Sequence, residues 1–155
     1  MFGFSQTEIN WLTWEQAIEA SKNDKKKVFV DVYTDWCGWC KKMDATTFKD
    51  SSVVNYMNTY FYAIKFNAET KDEIKIGSKT YKSSNTNKSR APHELAQELL
   101  QGKLSYPTII MLDENFNSLG PIPGFQSSQS LTPMLKFIGT DSYKSTTWEN
   151  YIKVN

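Results

Sequence analysis

The chain has 155 residues, 39% of them hydrophobic and 14% aromatic, enough for one domain with a substantial core. Its net charge of +1 provides no broad field to recruit nucleic acid or a membrane surface. No apolar run approaches the ~20 residues of a membrane span, and no nucleotide-binding loop, internal repeat or serine-nucleophile motif is present.

Met1-Phe-Gly-Phe-Ser-Gln6 reads either as the remnant of a trimmed signal peptide behind an added methionine or as a frayed native terminus. Thr13-Trp-Glu-Gln16 fits a capping box for a helix to about Asn23, with Trp14, Ala17 and Ile18 at helical spacing. Asp24-Lys-Lys-Lys27 predicts a solvated, charged turn. Residues 28–33 predict a buried strand interrupted by the carboxylate of Asp31. A helix over Lys41–Phe48 follows, then a break near Lys49-Asp-Ser51 and a short amphipathic piece carrying Val53, Val54 and Met57. Phe61–Phe66 predicts a strand parallel to the first, because a helix connects them.

Ile74-Lys-Ile-Gly-Ser-Lys-Thr-Tyr81 alternates around Gly-Ser and predicts a small hairpin, with a polar loop over residues 83–89. Pro92 and the leucines to Leu100 mark a helix ending at Gly102, with His93 expected on its surface. Thr108–Leu112 predicts a buried strand. Ser118–Phe125 predicts its antiparallel partner, which Pro121 and Pro123 confine to an edge. Ser130 is expected to cap a helix with Pro133 in its first turn and Gly139 beyond its end. A last helix starts at Thr146-Thr-Trp-Glu149, docked by Trp148, Tyr151 and Ile152.

The chain's only cysteines, Cys37 and Cys40, stand two residues apart where the first buried strand hands over to a helix. A helix N-terminus carries unpaired N–H groups and a partial positive charge, so it favours a thiolate at Cys37. Cys40, one turn on, is placed to attack a mixed disulfide formed at Cys37. A four-ligand zinc site needs a second ligand pair, and His93 is the only histidine. A purely structural disulfide across so short a loop constrains the unfolded chain little. Redox chemistry is the favoured reading, with Cys37 the accessible thiol and Cys40 the shielded one. Asp31 stays open between a solvent-facing carboxylate and a buried acid.

Trp36-Cys-Gly-Trp-Cys40 resembles the active-site motif of the thioredoxin superfamily. Ser105-Tyr-Pro-Thr108 resembles that family's cis-proline loop, Asp31 and Lys65 fall on its buried acid and lysine, and Gly124 on a glycine near the site. The likeness covers most of residues 27–125 and is nearest in character to exported thioredoxin-like proteins of Bacteroidetes-type bacteria.

The resemblance implies one α/β domain over residues 1–155, a central mixed sheet flanked by helices, with an insertion at about 67–90 before the cis-proline strand. It implies thiol–disulfide exchange by Cys37 and Cys40, with Asp31 handling the Cys40 proton. Trp36, Trp39, Tyr106 and Pro107 would contact the client, with the Tyr106–Pro107 bond cis. Neither cofactor nor metal is implied. The expected partners are disulfide-bearing client proteins and an unidentified redox partner, the expected state is a monomer, and the expected location is periplasmic or secreted, with cytoplasmic as the alternative. A reductase or isomerase is favoured over a non-catalytic binding or chaperone module on the same scaffold.

Overall fold

In the computed structural model, which describes residues 7–155, the chain enters through β1 (Trp11–Leu12) and α1 (Trp14–Ser21). The Met1–Gln6 segment and its signal-peptide reading lie outside the described residues. The capping box forms: Thr13 Oγ1 accepts the Gln16 N–H at 3.1 Å and Gln16 Oε1 accepts the Thr13 N–H at 2.9 Å. Next come β2 (Lys27–Tyr33), α2 (Gly38–Ala45), a 3-10 turn over Thr47–Lys49, α3 (Ser51–Tyr60) and β3 (Phe61–Asn67). A hairpin of β4 (Ile74–Ile76) and β5 (Lys79–Tyr81) precedes α4 (Glu94–Leu99). The chain closes with β6 (Thr108–Leu112), β7 (Ser118–Pro123), α5 (Ser128–Gly139) and α6 (Trp148–Val154).

The main sheet has the order β1-β3-β2-β6-β7. β3 runs parallel to β1 and β2, and the β2–β6 and β6–β7 pairs are antiparallel, so the sheet is mixed. β7 lies at the edge, where Pro121 and Pro123 remove donors the sheet does not need. Period-2 alternation sorts the side chains into two cores. Val28, Val30, Val32, Ile64, Phe66, Ile110 and Leu112 face α1, α4 and the hairpin. Phe29, Ala63, Ile109 and Met111 face α2, α3 and α5 through Met43, Val53, Val54, Met57, Leu131 and Leu135. The result is three layers, with β2 buried on both faces because it lies at the centre.

Four local expectations change. Lys27 is not part of a solvated turn: it opens β2, is buried, and pairs with Glu114 at 2.5 Å and Asp141 at 2.6 Å. α2 starts at Gly38, not Lys41, because Cys37 itself caps it. α5 starts at Ser128, capped by Ser127 rather than Ser130, and includes Gly139. In α6, Tyr151 packs against Phe137 at 4.9 Å while Ile152 is half exposed, because the helix turns only one narrow stripe inward.

His93 is the largest departure. It is fully buried rather than on the surface. Its Nδ1 accepts the Leu95 N–H at 3.2 Å, capping α4, so its proton sits on Nε2 and is donated to the Asp72 carbonyl at 2.9 Å. Its backbone N–H reaches the Ala68 carbonyl at 2.7 Å, and its ring meets Phe66 edge-on. One side chain thus ties the loop after β3, the start of α4 and the core together. His93→Ala should cost about 3 kcal/mol, combining a lost cap with a buried cavity. Urea denaturation measures this, and a loss under about 1 kcal/mol would show that the 68–93 segment is held elsewhere.

Candidate active site

β2 ends at Tyr33, and a tight turn, in which the Cys37 N–H donates to the Thr34 carbonyl at 3.3 Å, delivers Cys37 to the head of α2. Cys37 takes the capping position: its Sγ accepts the Cys40 N–H at 3.1 Å. The two residues are joined as a disulfide with their Cα atoms 5.3 Å apart. The expected contrast in access is small in this form, since Cys37 is 5% exposed and Cys40 1%.

Asp31 lies on the β2 face covered by α2, two residues on from Phe29. It is fully buried, which removes the solvent-facing alternative. In register beside it on β3 stands Lys65, whose Nζ donates to Asp31 Oδ2. Lys65 also donates to Asp44 Oδ1 at 2.5 Å, and its ammonium lies over the Tyr33 ring at 4.7 Å. Burial is the main influence on Asp31 and pushes its carboxyl up to about 6; Lys65 opposes this and Asp44 adds to it. Cys40, Met43 and Asp44 form the α2 stripe that faces this part of the sheet, three and four residues apart. The buried acid therefore sits beneath the helix that carries both cysteines.

The antiparallel pairing of β2 and β6 puts the start of β6 beside the end of β2, so the 105–107 loop arrives at the cysteine end of the sheet. The Tyr106–Pro107 peptide is cis. The Pro107 carbonyl accepts the Gly124 N–H at 2.8 Å; Gly124 has φ +92°, a conformation open to glycine and strained for other residues. Trp36, next to Cys37, meets Tyr106 edge-on at 6.1 Å, and Trp39, between the two cysteines in the chain, meets Phe125 at 5.5 Å. Trp36 and Trp39 are 49% and 57% exposed.

Five residues around this site were not picked out in the sequence as contributors. Lys42 lies over Trp39 at 5.0 Å, with Phe125 beyond. Glu69 accepts the Trp36 indole N–H at 2.9 Å, and the Arg90 guanidinium lies over the Trp36 ring at 5.1 Å. Both Glu69 and Arg90 belong to the segment between β3 and α4, which thereby reaches the site. Asp44 had a legible signal, one helical turn after Cys40; Glu69 and Arg90 had none, because loop geometry alone brings them there. Among the described residues no group of three or more His, Cys, Asp or Glu side chains converges as a metal site, and no helix is long and apolar enough to cross a membrane.

Residues 3–101 match the family model Thioredox_DsbH, described as a protein of unknown function, DUF255. A segment of 62 residues is 37% identical to the thiol:disulfide interchange protein DsbD of Pseudoalteromonas atlantica, covering 39% of this chain and 10% of that protein. The curated relatives are much longer, the matched region being about a tenth of their length. A solved structure described as DsbH oxidoreductase superposes with a TM-score of 0.62 at 17% identity, covering 94% of this chain and 92% of that one. A putative disulphide-isomerase from Bacteroides thetaiotaomicron superposes with a TM-score of 0.59 at 24% identity, covering 88% and 96%. These structural likenesses establish the fold: a thioredoxin-like mixed sheet flanked by helices.

Proposed function

We propose that this chain, which belongs to the Thioredox_DsbH family of the thioredoxin superfamily, exchanges disulfides with protein clients through Cys37 and Cys40 as a reductase or isomerase. The observation that carries the reading is the Cys37–Cys40 disulfide at the head of α2, with Cys37 as the cap. In the reduced chain the same N–H that now meets Cys37 Sγ supports a Cys37 thiolate. That thiolate attacks one sulfur of a client disulfide; a mixed disulfide forms and the other client sulfur leaves as a thiolate. Cys40 then gives its proton to Asp31 and attacks Cys37 Sγ. The Cys37–Cys40 bond forms, the bond from Cys37 to the client breaks, and the client departs with two thiols. A dithiol redox partner returns the chain to its reduced form.

Exposed Trp36 and Trp39 support an apolar contact with an extended client, and the cis Tyr106–Pro107 loop supports strand-like pairing of the client with the Tyr106 backbone. Sequence character favours an exported, periplasmic or secreted setting for this chemistry. The direct test is reduction of insulin by the chain in the presence of dithiothreitol, with Cys37→Ser as control. Accelerated precipitation of the insulin B chain by the wild type and none by Cys37→Ser is expected. Client binding without acceleration would instead favour a non-catalytic binding module.

A further inference from the structure

We propose that Asp44 is a positioning residue for the buried acid: it holds the outer side of the Lys65 ammonium, limits how far that ammonium neutralises Asp31, and so sets the pH at which Asp31 exchanges a proton with Cys40. The proposal rests on the exchange reaction assigned to the two cysteines.

One ammonium serves two carboxylates here. Lys65 Nζ bridges Asp31 Oδ2 and Asp44 Oδ1. The Asp31 side chain is fully buried, that of Lys65 is 22% exposed and that of Asp44 43%, so the trio runs from core to surface. The ammonium attracts both carboxylates, and the negative charge of Asp44 offsets part of that attraction at Asp31. Asp31 Oδ1 has no hydrogen-bond partner among the described residues, which leaves one buried oxygen open to a proton. The groups that act on Asp31 are Lys65 from β3, Asp44 from α2 and Tyr33 from its own strand; α2 also carries Cys40. Glu8 and Lys49 stand farther out, at the mouth of a neighbouring cavity.

Asp44 and Lys65 line this open cavity of about 210 Å³ with Trp11, Phe48, Glu8 and Lys49. Neither cysteine borders it, nor do Trp36, Trp39, Tyr106 or Pro107. Asp31 does not itself border the cavity; Lys65, which donates to it, does. In the closing step the Asp31 carboxylate accepts the Cys40 proton, and the Asp44–Lys65 pair determines how readily Asp31 takes that proton and gives it up.

The experiment is a ¹³C NMR titration of the Asp31 carboxyl in the reduced 155-residue chain, paired with the pH profile of insulin reduction. Asp44→Asn removes the competing carboxylate without removing a hydrogen-bond acceptor. The expected result is a fall of about half a pH unit or more in the Asp31 midpoint, with the acid limb of turnover moving the same way. Asp44→Glu should restore the wild-type midpoint. An Asp31 midpoint that stays put or rises in Asp44→Asn overturns the proposal, even where Asp31→Asn removes the limb. Wild-type chain that fails to reduce insulin would sink the exchange reading instead, and the titration would still decide for or against Asp44.

Discussion

Replacing Cys40 with serine is expected to leave the chain covalently joined to its clients, with turnover falling on the order of 10³-fold or more. Cys37 would still attack, because its position at the head of α2 and the backbone N–H of residue 40 that supports it survive the change. The mixed disulfide would then persist, since a serine hydroxyl cannot displace the client sulfur from Cys37. Cys37→Ser should lose turnover equally but trap nothing. The measurement is non-reducing electrophoresis of each variant after exposure to oxidised client protein, with dithiothreitol releasing the adducts. Equal trapping by both variants would mean that Cys40 also makes first attacks. Exposure alone does not forbid that outcome, since both cysteines are covered to nearly the same degree in the disulfide form. In the proposed mechanism the helix cap, not exposure, separates their roles.

Asp31→Asn should stabilise the protein and slow it at the same time. Held near 6 rather than at the ordinary 3.8, the ionised Asp31 carboxylate costs the fold up to about 3 kcal/mol. The sign follows from proton counting. Between about pH 4 and pH 6 the folded chain binds more of this proton than the unfolded chain does, so stability falls as pH rises through that window and levels off above it. Asparagine has nothing to ionise, so the variant should match the wild type near pH 4 and exceed it by up to about 3 kcal/mol at pH 8. Urea denaturation across that range is the check, and equal stabilities at pH 8 would refute the assignment. Resolution of mixed disulfides should slow by ~10²-fold, the lower end of what a positioned base contributes. A residue that weakens the fold at working pH and is kept for proton transfer would show this opposition.

The chemistry proposed for this protein was legible locally in the sequence. Cys37-Gly-Trp-Cys40 after a buried strand, at the start of a helix, reads as a redox pair without reference to any other part of the chain. The capping box at Thr13–Gln16, the hairpin at residues 74–81 and the proline-bearing edge strand were legible for the same reason: each is fixed by neighbours a few residues away. What the sequence left open was decided by burial, which no short window contains. Asp31 reads equally well as a surface or a buried carboxylate until β3 and β6 flank its strand in the sheet and α2 closes over it. His93 and Lys27 look like surface residues by type, yet each is buried because distant backbone and carboxylate groups satisfy its polar atoms. Glu69 and Arg90 reach Trp36 only through the path of the loop between β3 and α4. The bridging of Asp31, Lys65 and Asp44 needs two strands in register and a helix across them. Tertiary structure alone supplies that arrangement, because a shared charge depends on distances between residues far apart in the chain.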